Sequence, residues 1–271
     1  MRNLHERERK QLILRLVREQ ALVAVSALVQ TTGASSATVR RDLASLESAG
    51  LVRRVHGGVE VIDEPKSPIL ETRGFAASRT LNVEKKRAIA RAAVDLCSDG
   101  QSIIINAGST TYQMVDPLAR RRLNILTNSF PIAEALVSRG QSRVSIPGGE
   151  IFREQAIVLS PFDDDAIQHT AAEIMFMSCY SIGPMGVIEG DPLIARAEVK
   201  LLKRAEKLVV LIDSSKFVTR GAIVVCPLSR VSTVITDDAA PPRSIAMLRA
   251  AGVEVVVVSV DARQKAQPAF A

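Results

Sequence analysis

Two adjacent arginines lie near the start of a helix that is predicted to begin at Ser36 and to be closed by Gly50. Ser36 is expected to cap this helix with its hydroxyl. Apolar residues recur along it at helical spacing, at Val39, Leu43 and Leu46. In this position Arg40 and Arg41 could contact base edges and phosphates if the helix entered a DNA major groove. A solvated amphipathic helix with two surface arginines would have the same pattern, so the flanking sequence must distinguish the two.

The preceding sequence predicts two further helices. A first amphipathic helix is expected within residues 4–20, followed by a short apolar connector over residues 20–25. Ser26 would cap a second helix at residues 27–30. Gly33 then lies where a tight turn between helices needs a positive φ. Helix, helix, glycine turn and arginine-bearing helix follow each other in the order of a helix-turn-helix.

A β-hairpin is predicted directly after these helices. Its strands are expected at residues 51–55 and 59–61, with a two-glycine turn between them. Arg53 and Arg54 on such a wing would meet the phosphate backbone, and His56 either touches DNA or only occupies the turn. The candidate DNA-contacting residues of this winged helix-turn-helix are Ser35, Ser36, Thr38, Arg40, Arg41, Arg53, Arg54 and His56.

The distribution of charge supports a nucleic-acid-binding N-terminal part. Residues 1–60 contain ten Lys or Arg and six Asp or Glu, which gives +4 of the net charge of +6 carried by all 271 residues. A basic excess concentrated in one part of a chain is typical of DNA-binding proteins. The rest of the chain is nearly neutral.

From about residue 83 the chain alternates between helical and strand-like segments. Strands are predicted at 102–106, 123–127, 142–146, 174–180, 208–212, 231–235 and 253–259, and helices at 84–97, 110–119, 129–138, 192–206 and 241–251. Such an alternation, with strands rich in Val and Ile, predicts an α/β domain with a mostly parallel sheet between two helical layers.

The length predicts two domains joined by a linker. We expect the DNA-binding domain at residues 1–61, a linker at 62–73, which contains Pro65 and Pro68, and the α/β domain at 74–262. The N-terminus is charged and apolar runs are short, so we expect a cytoplasmic protein without a membrane segment. The three cysteines are scattered in apolar sequence, which favours buried thiols, and the spacing of His and Cys indicates neither a metal site nor a cofactor.

Four loops of the α/β domain follow predicted strands and are candidate ligand sites. Ligands of open α/β sheets bind beyond the carboxyl ends of the strands, where small and hydroxyl-bearing residues can hold an anion. Each loop also has a plain structural explanation: a capped helix start for the first two, a tight turn for the third and a surface lysine for the fourth. The loops are residues 106–111, 127–129, 147–150 and 213–216.

The chain resembles the DeoR family of bacterial transcriptional regulators from about Glu6 to Asp238. Residues 37–43 are similar to the family's recognition helix and residues 53–58 to its wing. In the α/β domain the similar segments occur in the family's order, and they are residues 86–90, 106–111, 126–129, 148–149 and 213–217. The resemblance implies a sensor domain with the fold of ribose-5-phosphate isomerase, glucosamine-phosphate deaminase and CoA transferases.

The resemblance also implies that the sensor domain recognises a phosphorylated sugar or polyol. Asn106, where many members have Asp, and Pro161, where Gly is frequent, resemble the subgroup that contains the repressor of L-ascorbate utilisation. The candidate effector-binding residues are Asn106, Gly108, Ser109, Thr110, Thr111, Thr127, Asn128, Gly148, Gly149, Gly183, Glu198 and Lys216.

An enzyme on this fold is the alternative. An isomerase needs a pair of carboxylates for acid and base catalysis, and residues 180–186 show none. Glu150 is a weak candidate for a CoA-transferase nucleophile, because no other feature of that chemistry accompanies it. We therefore expect a non-enzymatic repressor of a carbohydrate operon that binds operator DNA as a homodimer or homotetramer and is controlled by a phosphorylated effector.

Overall fold

A computed structural model describes residues 6–20, 22–48, 52–55, 58–61, 74–162 and 164–260. The chain divides into two compact units, residues 1–68 and 69–271. The predicted linker at 62–73 lies outside the described residues. Within the described part of the chain, no helix is long and apolar enough to cross a membrane.

The first unit has three helices and a small antiparallel sheet. The elements are α1 (Glu6–Gln20), β1 (Leu22–Ala24), α2 (Val25–Thr32), α3 (Ser36–Ser48), β2 (Val52–Val55) and β3 (Gly58–Val61). The sheet order is β1-β3-β2, so the expected wing hairpin gains a third strand from residues that were predicted as a connector. The predicted helix-turn-helix and wing are confirmed.

Two helix caps differ from the prediction. Helix α3 is capped by Ser35 rather than Ser36, because the Ser35 hydroxyl accepts the N–H of Thr38 at 3.2 Å. Helix α2 begins at Val25, so Ser26 lies inside it. The cap residue is Ala24, whose side chain has no hydrogen-bond acceptor. Gly33 has φ +66°, the left-handed conformation expected of the turn. Ser35 and Ser36 are adjacent and either hydroxyl could cap the helix, so the sequence alone does not say which of the two is the cap residue.

The second unit contains a seven-stranded parallel sheet. Its helices are α4 (Phe75–Arg79), α5 (Val83–Val94), α6 (Val115–Leu118), α7 (Phe130–Arg139), α8 (Pro192–Leu202) and α9 (Pro242–Ala250). Its strands are β4 (Ser102–Ile105), β5 (Asn124–Thr127), β6 (Arg143–Ser145), β7 (Glu150–Phe152), β8 (Ile157–Leu159), β9 (Ala172–Met177), β10 (Ser181–Gly183), β11 (Gly186–Glu189), β12 (Ala205–Leu211), β13 (Ile223–Cys226), β14 (Thr233–Asp237) and β15 (Glu254–Val258).

The parallel sheet has the order β15-β14-β12-β9-β4-β5-β6 and a hydrophobic core on each face. Helices α5, α6 and α7 contribute to one core, and α8 and α9 to the other. The predicted α/β layers are therefore confirmed. Cys97, Cys179 and Cys226 are buried free thiols, as expected.

Several predicted boundaries were wrong. The helix expected at 110–119 is a 3-10 turn, Thr111–Met114, followed by the single turn of α6. The helix expected at 192–206 ends at Leu202, and residues 205–207 belong to β12 because they pair with β9. The hairpin β7-β8 and the sheet β10-β11-β13 were missed, since strands of three or four residues show almost no periodicity.

Candidate functional site

The arginine pair of α3 faces solvent. Arg40 and Arg41 are exposed, whereas Val39 and Leu43, which flank them, are completely buried in the core of the first unit. Ser35 and Ser36 are also exposed and Thr38 is half-buried. The start of α3 therefore presents guanidinium and hydroxyl groups outward while its opposite side packs on α1 and α2.

The wing residues are only partly described. Arg53 is exposed on β2, and the backbone of Arg54 lies in the same strand. The side chain of Arg54 and all of His56 lie outside the described residues, so their proposed contacts with DNA stay predictions.

A buried ion pair fixes α3 against α1. Asp42 is 3% exposed and accepts two bonds from the Arg9 guanidinium, from Nε at 2.5 Å and from Nη2 at 3.2 Å. The hydrogen bond with Asp42 raises the pKa of Arg9. Arg9 of α1 thus neutralises Asp42, the acid next to Arg41 in the sequence. Asp42 therefore does not reduce the positive charge of the exposed Arg40 and Arg41.

A small cavity of about 80 Å³ lies at the carboxyl ends of β4, β9 and β12. Four of the predicted effector residues line it: Gly108, Ser109, Glu198 and Lys216. Its other lining residues are Phe75, Ser78, Ala107, Gln155, Ile157, Ser178, Cys179, Tyr180, Glu189 and Ile194. The loops after β4 and β12 thus meet at one site, as expected of an open α/β sheet.

Asn106 supports this cavity from behind instead of facing it. Its side chain is 0% exposed, and Nδ2 donates to the Ser178 carbonyl and to Glu198 Oε1, each at 2.8 Å. Its Oδ1 accepts the N–H of Ser178 at 2.9 Å. These three bonds join the loop after β4 to the end of β9 and to α8, so the Asn106 side chain has no free group for a ligand.

The predicted threonines and Asn128 also hold loops. The Thr111 hydroxyl donates to the carbonyls of Asn106 and Gly108, at 2.9 and 3.0 Å. Thr127 Oγ1 accepts the N–H of Ser129, and Asn128 Oδ1 accepts that of Ala107. Thr110 is likewise fully buried. Asn106, Thr110, Thr111, Thr127 and Asn128 were predicted as effector ligands, but none of them lines the small cavity.

The predicted glycines have different surroundings. A Cβ on Gly108 would lie 2.7 Å from Ser178 Cβ, so glycine lets this loop pack on the end of β9. Gly149 has φ +142°, and a Cβ there would lie 2.1 Å from the Leu159 carbonyl oxygen, so the β7-β8 hairpin itself requires glycine. A Cβ on Gly148 or Gly183 would meet no atom within 4 Å. Gly148, Gly149 and Gly183 do not line the small cavity.

Lys86 is a site residue that the sequence analysis missed. It is 3% exposed, and its Nζ donates to the Ser78 carbonyl at 2.7 Å and to the Ser109 hydroxyl at 2.9 Å. Its pKa is lowered to about 8, mainly by burial; Asp213 opposes the shift and nearby Lys216 adds to it. The available signal was a lysine three residues before Ile89, on the apolar side of α5.

Residues 180–186 contain no acid, as the sequence analysis stated, but two carboxyl groups from other segments meet at the cavity. Glu189, at the end of β11, is 5% exposed, and Glu198, on α8, is 2% exposed; both line the cavity. Burial raises the pKa of Glu189 to about 7, although the N–H groups of Tyr180 and Gly190 oppose the shift. Burial, and next the charge of Glu189, raise the pKa of Glu198 well above its usual range. Glu198 was among the predicted effector residues, whereas Glu189 was not predicted, because it lies on β11, outside residues 180–186.

A larger cavity of about 590 Å³ lies between the β7-β8 hairpin, residues 160–167 and α8. Its walls are mostly apolar, and of the predicted effector residues only Asn128 lines it. Lys200 in its wall is bound to Asp165 at 2.6 Å. Glu150, the candidate nucleophile, is exposed at this cavity and does not line the small one.

Comparison with known proteins agrees with the two units. Residues 9–65 match the DeoR-like helix-turn-helix domain, and residues 81–238 match the DeoR C terminal sensor domain. Proteins named HTH-type transcriptional regulator UlaR, from Shigella dysenteriae serotype 1 and Escherichia coli K12/DH10B, are each 32% identical over 253 residues, which is 93% of this chain and 99% of the relative. Ribose 5 phosphate isomerase A from Neisseria gonorrhoeae has a TM-score of 0.38 and 19% identity over 50% of this chain and 53% of its own.

The lowered pKa of Lys86 predicts how the free energy of unfolding changes with pH. The folded-state pKa of Lys86 is about 8 and the ordinary value 10.5, so between these pH values the unfolded chain binds a proton that the folded protein does not. Wild-type stability should therefore rise across this window, relative to Lys86→Met, by up to about 1.4 kcal/mol per pH unit. Urea unfolding from pH 7 to 10.5 measures the difference, with exposed Lys207→Met as the control. A difference that stays constant with pH would contradict the lowered pKa.

Proposed function

This chain belongs to the DeoR family of transcriptional regulators, and on that premise we propose that it represses a carbohydrate or polyol operon and releases DNA when a phosphorylated effector binds. The observation that carries the effector part is the meeting of two lysines and a serine hydroxyl at the carboxyl end of the parallel sheet. Glu189 and Glu198 are the acids that an isomerase would need, but the relatives named above are regulators, so we assign these acids to effector binding.

The exposed face of α3 supports DNA binding. Arg40 and Arg41 project from the side opposite the core, and Asp42, the nearest acid in the sequence, is occupied by Arg9. We propose that the arginines read base edges and phosphates, together with Ser35, Ser36 and Thr38, and that the wing contacts the backbone. One helix reads only a half-site, so we further propose a homodimer or homotetramer.

The small cavity supports an anionic effector. Lys216 Nζ lies 5.6 Å from the Tyr180 ring centroid, at the cavity wall. Lys216 is close enough to Lys86 to lower its pKa, and Ser109 connects Lys86 to the cavity. A phosphate group between them would relieve this repulsion and accept bonds from the serine and both ammonium groups. We propose Gly108, Ser109, Lys86 and Lys216 as the phosphate subsite.

We propose that binding moves the walls of this cavity, because its size is small for a complete effector. Sites for small molecules usually measure about 300–1,000 Å³, whereas this one measures about 80 Å³ and holds only part of a sugar phosphate. The remaining predicted residues do not line the cavity and would then act on the effector indirectly. They are Asn106, Thr110, Thr111, Thr127, Asn128, Gly148, Gly149 and Gly183.

Helix α4 is the wall that we propose to move. Phe75 and Ser78 line the cavity. Helix α4 is held by the Phe75 N–H, which donates to the Glu154 carbonyl at 2.8 Å, and by the Phe75 ring, which packs edge-on against Tyr112 at 5.6 Å. Lys86 also donates to the Ser78 carbonyl at 2.7 Å, and Arg79 lies over the Tyr112 ring. Helix α4 is also the first described element after residues 62–73, which lead from the DNA-binding unit. A ligand shifts an equilibrium only through different affinities for two states, and a closed and an open cavity supply that difference.

The arginines can be tested on DNA. Arg40→Ala and Arg41→Ala are each expected to cost about 1–3 kcal/mol of operator affinity if the arginine bonds a base. The measurement is a gel shift on a duplex that the wild-type protein selects from a random library. Arg120→Ala, an exposed arginine of the second unit, is the control for lost charge. Wild-type affinity in both α3 variants would contradict the assignment of α3 as the recognition helix.

The phosphate subsite can be tested by thermal shift. Among sugar and polyol phosphates, a true effector at 100 times its Kd should stabilise the wild-type protein by about 2.7 kcal/mol. Lys216→Met and Ser109→Ala should lose this stabilisation and keep DNA affinity, because neither residue lies in the DNA-binding unit. Exposed Lys207→Met is the matched control. A Lys216 variant that is stabilised as strongly as the wild type would exclude Lys216 from the subsite.

A further inference from the structure

Glu198 has one carboxyl oxygen without a hydrogen-bond partner. Oε1 accepts a bond from Asn106 Nδ2 at 2.8 Å, whereas Oε2 is buried and has no partner among the described residues. A buried polar atom without a partner is costly, and such atoms concentrate where a ligand or water completes the structure. Glu198 lines the small cavity, where the effector is proposed to bind, and is thus a residue whose unpaired oxygen a ligand could satisfy.

The orientation of Asn106 determines which oxygen of Glu198 can carry a proton. Ser178 donates its N–H to Asn106 Oδ1 and accepts from Nδ2 with its carbonyl, so the amide group has only one orientation that satisfies both. Nδ2 then points an N–H at Glu198 Oε1, which must act as an acceptor. A proton on the carboxyl group therefore lies on Oε2.

Glu189 shows the opposite arrangement. Its two oxygens accept backbone N–H groups, Oε1 from Tyr180 at 2.8 Å and Oε2 from Gly190 at 3.3 Å, which favour the ionised form. Glu198 has a single hydrogen-bond donor, Asn106, and lies near the acidic Glu189 and the thiols of Cys179 and Cys226. Lys216, a cation of the cavity wall, lowers the pKa of Glu189 and that of Cys179. When two acids share a site, different surroundings separate their protonation states. The carboxylate belongs to Glu189 and the neutral acid to Glu198.

We propose that Glu198 carries a proton on Oε2 in the folded protein and offers this O–H as a hydrogen-bond donor to an oxygen of the effector's carbon skeleton. The proposal rests on the proposed function, since it assigns the second half of the same site. Lys216 and Ser109 hold the phosphate, and Glu198 recognises a hydroxyl, carbonyl or enolate oxygen. Effectors that lack an acceptor oxygen at this position leave the donor unpaired and bind weakly.

The protonation of Glu198 can be measured without a ligand. Above the ordinary pKa of 4.5 the unfolded chain loses a proton that folded Glu198 keeps, so wild-type stability falls as pH rises. Glu198→Gln keeps the acceptor and the donor but does not titrate. The ratio of the wild-type to the Gln-variant unfolding constant should rise by about tenfold per pH unit from about pH 5.5 to 7.5. Exposed Glu206→Gln is the control and should give a constant ratio. A constant ratio for Glu198→Gln would overturn the proposal.

The donor role can be measured with two probes, glucitol 6-phosphate and inorganic phosphate. Calorimetric titration should show at least tenfold weaker binding of glucitol 6-phosphate to Glu198→Leu than to Glu198→Gln, and similar binding of inorganic phosphate to both. Circular dichroism verifies that both variants fold. Equal affinity of both variants for glucitol 6-phosphate would overturn the donor role. Failure of the wild-type protein to bind either probe would contradict both the proposed function and the donor role. The pH dependence of the ratio of unfolding constants would still decide whether Glu198 is protonated.

Discussion

The side-chain amide of Asn106 connects the parts of the sensor domain that form its cavity. With three bonds it ties the loop after β4 to both backbone groups of Ser178 and to Glu198 on α8. Because it is completely buried, each of these bonds replaces one to water, and losing a partner would leave a polar group unpaired at a cost of about 1–3 kcal/mol. An aspartate, which occurs here in many family members, lacks the N–H groups that an asparagine donates to Ser178 and Glu198. The Asn at this position and a protonated Glu198 are therefore parts of one arrangement.

The size of the small cavity connects effector binding to the proposed movement of α4. A cavity of about 80 Å³ admits one end of a ligand, and the five-residue helix α4 forms part of its wall through Phe75 and Ser78. A helix this short opens at a lower free energy than the central strands, which suits a part of the protein that must move when ligand binds. In the first unit, by contrast, the Arg9–Asp42 pair and an apolar core hold α3 firmly. Regulation of this kind needs a rigid DNA-binding domain and a sensor domain with two states, one with a closed and one with an open cavity.

The sequence was sufficient for the features that periodicity and glycine positions encode. The exposure of Arg40 and Arg41 follows from the burial of Val39 and Leu43 at helical spacing, and Gly33 marks the turn through its φ. The layers of the α/β domain follow from its apolar strands. Short strands such as β10 and β11 and the choice between Ser35 and Ser36 as cap depend on tertiary contacts, which local pattern does not contain.

Some residues of the small cavity could be predicted from the sequence and others could not. Gly108, Ser109 and Lys216 come from loops at strand ends, and a general rule for α/β sheets places such loops together. Asn106 has the residue type of a ligand, but its loop turns the side chain inward. The neighbours of Glu189 in the sequence give no sign of a site, and Lys86 gives only the signal of a lysine on the apolar side of α5. The fold places Glu189 at the cavity and Lys86 against Ser109.

The central claim is that effector binding opens the cavity by moving α4. Hydrogen–deuterium exchange of the full-length protein, with and without a saturating sugar phosphate, tests it most directly. The account predicts faster exchange of the amides of Phe75–Arg79 in the bound protein, because the bond from Phe75 to Glu154 is broken, and unchanged exchange in the central strand β12. Unchanged or slower exchange in Phe75–Arg79 at saturation would contradict it.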